Sequence, residues 1–207
     1  MSEYTFNADY ASIESRELPQ AKILAKWVKG CLNPNKVIDL GCGPGIYVHE
    51  LINVGVDAIG YELDPRAKDI PHVIHKSLLD VQDKSDVVIS LEVAEHLEPI
   101  HSQAMVDKVY ETLEPGGTLI WTAANVGQGG VDHINCRPKE YWIKKFTDKG
   151  MIHCNSLERN LKNTLVSTIR TKLHGWLYYN LIVMYKEDWA DDPSTAGSLI
   201  GPQQKEK

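Results

Sequence analysis

The sequence holds only two phenylalanines and four cysteines in 207 residues, no surplus of positive charge and no long apolar run. Each shortage excludes something. Cys31, Cys42, Cys136 and Cys154 stand apart, with no C-x-x-C pair, so the spacing offers neither a disulfide framework nor a four-cysteine zinc site. Free thiols in a reducing, cytoplasmic setting are expected. No apolar stretch approaches the roughly 20 residues of a membrane span. The opening "MSEYTFNADYASIESRELPQ" has no basic segment leading into an apolar one, so it does not read as a secretion signal. Acidic residues outnumber basic ones by 28 to 22, giving a net charge of −6. That balance argues against a general electrostatic hold on nucleic acid and leaves room only for a local basic strip.

What is present is a normal soluble composition, 43% hydrophobic and 24% charged, in a chain long enough for one domain with a full core. Residues 1–16 read as a loose leader or a cap over a pocket, and "ELPQAKILAKWVKGCL" as a helix with Pro19 in its first turn. Short apolar runs follow: "KVIDL", "DAIGYEL", "HVIHKS", "DVVISLE" and "GTLIWTAA". Helical patterns separate them, so the expectation is a doubly wound α/β sheet, parallel in its first part. "PKEYWIKKFTDKG" reads as a helix, "MIHCNSL" as a candidate strand and "WLYYNLIVMYK" as a strong one, the last two closing the sheet as a hairpin. "LERNLKNTLVSTIRTKL" is mixed and has no clear assignment. Residues 1–186 are expected to form a single domain with a helical cap over about 1–35. The polar tail 187–207, rich in Pro, Gly and Ser, is expected to be disordered.

The first specific signal is "KVIDLGCGPG". A strand ends in Asp39 and runs into Gly41, Gly43 and Gly45. Such glycines let the chain turn tightly and let a ligand approach the backbone. The spacing is G-x-G-x-G, not the dinucleotide G-x-G-x-x-G. Asp39 would repel a pyrophosphate and suits a cationic amino group, so an amino-acid-bearing nucleoside fits better than a nicotinamide dinucleotide.

Here the sequence resembles the class I S-adenosylmethionine-dependent methyltransferases, in order and spacing from about Lys36 to Lys186. The resemblance implies a Rossmann-like sheet of seven strands, mostly parallel, with one antiparallel strand near the C-terminus. It implies S-adenosylmethionine as cofactor, held by Asp39, Gly41, Cys42, Gly43 and Gly45 of the turn. In "AIGYELD", Glu62 would bind the two ribose hydroxyls, since a carboxylate accepts from both at once, with Leu63 beside it. Ser77 and Leu78 in "HKSLLD" would border the adenine, Ser77 standing at a position where the family usually has an acidic or small polar residue. Leu91 would close the fourth strand next to the cofactor.

"LEVAEHLEP" supplies Glu92, Glu95 and His96, which share one face if a helix starts there. His133 in "GGVDHINCRPKEYW" follows the fifth strand. Loops after strands four and five both line the ligand-binding edge of such a sheet. The four residues resemble the metal constellation of small-RNA 3'-terminal 2'-O-methyltransferases, and the E-x-x-E-H run also resembles ubiquinone-pathway O-methyltransferases. Three readings stand. The residues hold a divalent ion (Mg, Mn, Fe or Zn) that activates an acceptor hydroxyl, or His96 is a metal-free general base, or the residues are structural. The remaining histidines show no metal spacing, and a His133–Cys136 zinc pair lacks a second pair. Tyr4, Tyr10 and Arg16 are candidates to close over the cofactor.

Arg137, Lys139, Lys144, Lys145 and Lys149 offer either an anion-binding strip or the solvated face of an amphipathic helix. No separate RNA-binding module is visible. The expected acceptor is therefore a small molecule or sugar, methylated on oxygen. The alternatives are an RNA or protein methyltransferase, or a non-catalytic relative that only binds the cofactor. Oligomeric state is not encoded in any visible motif.

Overall fold

The structure, a computed structural model, describes residues 9–168 and 175–188. Tyr4, His174 and the expected tail from residue 189 onward lie outside the described residues. The first helix, α1 (Tyr10–Trp27), starts where the Asp9 side chain accepts from the Ala11 amide at 3.2 Å. It thus begins seven residues before the expected start, and Pro19 falls inside it instead of in a first turn. Ile13 and Leu18 pack against the core, and this tertiary contact outweighs the lost backbone bond.

Then come β1 (Lys36–Leu40), α2 (Ile46–Asn53), β2 (Asp57–Glu62), β3 (Val73–His75), β4 (Ser85–Leu91), α3 (Ser102–Thr112) and β5 (Leu113–Thr122). The chain finishes with α4 (Lys139–Asp148), β6 (Met151–His153), α5 (Asn155–Thr168), α6 (Gly175–Tyr179) and β7 (Ile182–Lys186). The strands form one sheet in the order β3-β2-β1-β4-β5-β7-β6, with β7 antiparallel to both neighbours. The expected class is therefore observed.

Strands β1 and β4 are apolar on both faces because both faces are covered. Val37, Ile89, Ile120 and Val183 meet the layer of α1, α2, α5 and α6, while Ile38, Leu40, Val88 and Trp121 meet α3 and α4. Trp121 is fully buried, with ring centroids 5.2 Å from Trp142 and 5.1 Å from Phe146.

The later elements depart from the sequence expectation. "MIHCNSL" is a strand only over β6, and the unassigned stretch after it is α5. "WLYYNLIVMYK" is split: α6, a break at Asn180, then β7. Its aromatic and β-branched residues suit a strand, but Leu177 is the one buried side chain of α6, whereas Ile182, Val183 and Met184 are buried in succession. β5 starts early, at Leu113, and takes up "EPGG" as an irregularity against β4, with Gly116 at φ +77°.

The sheet order reverses between β1 and β4, with β2 on one side and β5 on the other. In open α/β sheets the crevice beyond the strand ends at that reversal is where ligands bind. It brings the turn after β1 opposite the loop after β4.

Candidate functional site

The glycine turn is held from below by β2. Gly41 and Cys42 amides both donate to the Tyr61 carbonyl, at 2.8 and 3.2 Å. Gly41, Gly43 and Gly45 have φ of +80°, +53° and +75°, a region that L side chains avoid. A Cβ at Gly41 would also lie 2.7 Å from the Val93 methyls, whereas one at Gly43 would meet nothing within 4 Å. The turn therefore packs tightly against the loop after β4 at one glycine and opens onto free space at the next. The Glu62 carboxylate sits at that opening. It accepts from the Gly43 amide at 2.8 Å and from the Asp64 amide at 2.9 Å, and a lone pair remains on each oxygen.

Asp39 is 3% exposed. Burial, and then the charges of Glu62 and Glu17, push its carboxyl up to about 8. A buried acid under this strain is suited to a cationic partner. The Cys42 thiol is buried and packs toward β2, where a Cβ on Gly60 would lie 2.9 Å from Cys42 Cβ. Leu63 is exposed at the rim. Ser77 caps the 3-10 turn Leu78–Asp80, its Oγ accepting from the Leu79 amide at 3.3 Å, and Leu91 ends β4, half-buried.

Helix α1 roofs this side. Gln20 donates to the Tyr47 hydroxyl at 3.1 Å in a buried contact. Burial, with the Glu92 charge adding to it, pushes Glu17 up to about 7. The Tyr10 ring lies 4.2 Å under the Arg66 guanidinium, which pairs with Asp64 at 2.6 Å. Arg16 is exposed, its Nε donating to the Ser12 carbonyl. Sequence reasoning missed Glu17, Gln20 and Tyr47; polar residues facing inward on an apolar helix were the available signal.

After β4 the helix expected at "LEVAEHL" is absent. Glu92 has φ +52° and the helical turn covers only Ala94–His96. Glu92 Oε2 accepts from Gln128 at 2.6 Å and Oε1 from Asn180 at 3.1 Å, and Asn180 also donates to Gln128 Oε1 at 2.8 Å. The Glu95 carboxyl lies beside that of Glu92 and meets the backbone of Ala124. Both its oxygens are buried, as is His133 Nδ1, which has no hydrogen-bond partner.

Glu95, His96 and His133 each present a ligand atom within 4.8 Å of the others. The two imidazoles meet edge to face at 4.9 Å. Burial, then His133, lowers His96 to about 4, so it is neutral at physiological pH. Its Nδ1 lies 3.2 Å from the Asp132 carbonyl. A carbonyl only accepts, so in this contact Nδ1 carries the proton. Burial first, and the Glu92 charge second, push the Glu95 carboxyl well above the ordinary range. One carboxyl with two imidazoles is a donor set that fits a divalent cation.

Gln128 and Asn180 had no motif to announce them. His49, His75 and His153 are engaged elsewhere, by the Pro71 carbonyl, the Leu63 carbonyl and Glu158. The basic strip is largely answered from within: Lys144 pairs with Asp148, Lys149 with Asp107 and Lys139 with Glu158, while Lys145 reaches Gln103 and Arg137 reaches Asn135.

The sheet order, the glycine turn and the carboxylate closing β2 define the class I S-adenosylmethionine-dependent methyltransferase fold. Residues 12–167 match the family model described as "Methyltransferase domain", and the chain belongs to that family. The mouse mitochondrial ubiquinone biosynthesis O-methyltransferase is 31% identical over 117 residues, covering 47% of this chain and 30% of that protein. The ubiquinone biosynthesis O-methyltransferase of Cereibacter sphaeroides strain KD131 is 28% identical over 138 residues, covering 56% of this chain and 51% of that protein. The match thus spans about half or less of these relatives. A SAM-dependent methyltransferase from Archaeoglobus fulgidus superposes with a TM-score of 0.59 at 14% identity, covering 87% of this chain and 96% of that one. The [4+2]-cyclase SpnF superposes at 0.52 with 13% identity, covering 80% of each chain. At such identities the likeness shows the fold alone.

Proposed function

We propose that this protein transfers the methyl group of S-adenosylmethionine to a hydroxyl oxygen of a small-molecule acceptor, aided by a divalent cation on Glu95, His96 and His133. The observation that carries the reading is the convergence of those three side chains, with a buried, unpartnered nitrogen on His133. The ubiquinone-pathway names of the relatives support an oxygen acceptor. When bound, S-adenosylmethionine supplies an electrophilic methyl on a sulfonium, and a divalent cation supplies a lowered pKa for the acceptor hydroxyl.

The chain's residues do the rest. Asp39 would hold the amino group of the cofactor, the Gly41–Gly45 turn with Cys42 would receive its amino-acid chain and Glu62 would accept from the ribose hydroxyls, with Leu63, Ser77, Leu78 and Leu91 bordering it. His96 would hold the cation with Glu95 and His133, and the proton of the acceptor hydroxyl would pass to water. Glu92 would be held beside Glu95 by Gln128 and Asn180. Positioning of this kind contributes about 7–11 kcal/mol toward a methyl transfer barrier.

Residues 1–186 act as one domain in this reading, in the cytoplasm. Among the described residues no helix is long and apolar enough to cross a membrane. The internally paired basic strip favours a small molecule over RNA. A second reading keeps the same residues with His96 as a metal-free base, favoured by the Asp132 contact that already fixes its tautomer.

The test is transfer of labelled methyl from S-adenosylmethionine into small-molecule, RNA and protein fractions of a cell extract, each with and without EDTA. Label in the small-molecule fraction that disappears with EDTA is expected. Label that survives EDTA selects the metal-free base. Label confined to RNA or protein overturns the acceptor class.

A further inference from the structure

We infer that Gly130 is a positioning residue for His133: its missing side chain is the space into which the imidazole folds to reach His96 and Glu95. The functional meaning of that placement rests on the reading above; the placement itself does not. A Cβ on Gly130 would lie 2.6 Å from His133 Cδ2, and closer still to Cε1 and Nε2. No ring tolerates that overlap.

The loop has little freedom to yield. The Ile134 and Asn135 amides both donate to the Glu95 carbonyl at 2.9 Å. The Asn135 side chain, 2% exposed, donates to the Ala94 carbonyl at 3.2 Å and to Ser102 Oγ at 2.9 Å. Asp132 adopts φ +58° with its carbonyl against His96. With the backbone pinned on the far side of His133, an added methyl is relieved by rotating the ring out of the group.

The requirement is one of room, not of backbone conformation. Gly130 is not among the residues with positive φ, unlike Gly127 at +84°. Gly129 next to it also lacks a positive φ, and a Cβ there would meet nothing within 4 Å. The two adjacent glycines are therefore a matched pair. Glycine to alanine has the same effect on the unfolded chain at both, and only one of them touches the imidazole.

The experiment compares Gly129→Ala, Gly130→Ala, His133→Ala and the double variant Gly130→Ala/His133→Ala in the full chain. Three readouts are taken: imidazole NMR signals of His96 and His133, calorimetric affinity for Mn²⁺, and kcat and KM for methyl transfer. Gly130→Ala is expected to shift the imidazole signals and to weaken Mn²⁺ binding about 10- to 100-fold, the usual range when a supporting contact to a ligand is lost. It is expected to lower kcat with the KM for S-adenosylmethionine unchanged. Gly129→Ala is expected to match wild type. In the His133→Ala background Gly130→Ala should add no more than about twofold, because an effect transmitted through one side chain vanishes with it.

Imidazole signals of Gly130→Ala that coincide with those of Gly129→Ala overturn the inference. So does a full effect that persists without His133. If Gly130→Ala fails to fold, recovery of folding in the double variant supports the steric account and continued failure overturns it. Shifted signals together with intact Mn²⁺ binding and turnover in His133→Ala leave the placement standing and remove the metal reading instead.

Discussion

Replacing Asp39 with asparagine should stabilise the protein while impairing cofactor binding. The carboxyl is buried at the end of β1, and its folded value of about 8 stands far above the ordinary 3.8. Between those values the folded state binds more protons than the unfolded one. Its stability from this group is therefore fullest at acid pH and falls as pH rises from about 4 to about 8. Keeping the proton at pH 7 costs about 1.4 kcal/mol per pH unit above the ordinary value, or about 4 kcal/mol. Asparagine has almost the same shape and does not pay that cost, but burying its amide costs about 1–3 kcal/mol. The net gain at pH 7 is about 1–3 kcal/mol, or about 3–9 °C in Tm for a domain of this size. Thermal denaturation of both proteins at pH 5 and pH 8 should show the gap widening by about 3 kcal/mol across that range. Calorimetry at pH 7 should show S-adenosylmethionine binding weakened at least about tenfold, the loss of one charge-assisted contact. A variant less stable than wild type at pH 8, or a gap equal at both pH values, would refute the reasoning.

Asn180→Ala removes the amide that donates to both Glu92 and Gln128; urea denaturation should show a loss of about 2–4 kcal/mol, because a charged acceptor loses a partner in a buried place. Trp121→Ala empties the centre of the α3–α4 layer, where the ring packs on Trp142 and Phe146, and its urea midpoint should fall by the equivalent of about 3–5 kcal/mol. Mn²⁺ at about 100 times its dissociation constant should stabilise wild type by about 2.7 kcal/mol, measured as a rise in Tm, and should leave His133→Ala unmoved.

The first half of the fold was legible because its signals are local. "KVIDLGCGPG" carries a buried strand and its turn in ten residues, and β1, the turn and β2 lie where the pattern put them. Glu62 was singled out by the family resemblance of "AIGYELD", and it stands at the end of β2 beside the glycine turn. The second half was less legible. The aromatic content of "WLYYN" suits a strand as well as a helix, and only packing against the sheet decides. The turn at Glu92 reads as a helix start because left-handed backbone at a glutamate leaves no mark in composition. Gln128 and Asn180 were invisible: they meet Glu92 across 36 and 88 residues of sequence, and no spacing rule spans such distances.

The placement of β7 between β5 and β6 has a consequence for the order of events during synthesis. Domains made on the ribosome begin to order from the N-terminus, so the glycine turn and its carboxylate have their strand partners early. β6 does not: among the described residues it pairs only with β7, which is made some thirty residues later. Asn180 arrives with that same last strand. A nascent chain stopped short of residue 180 would carry a formed glycine turn and a Glu92 that still lacks Asn180. Completion of the sheet and completion of the site are the same late step.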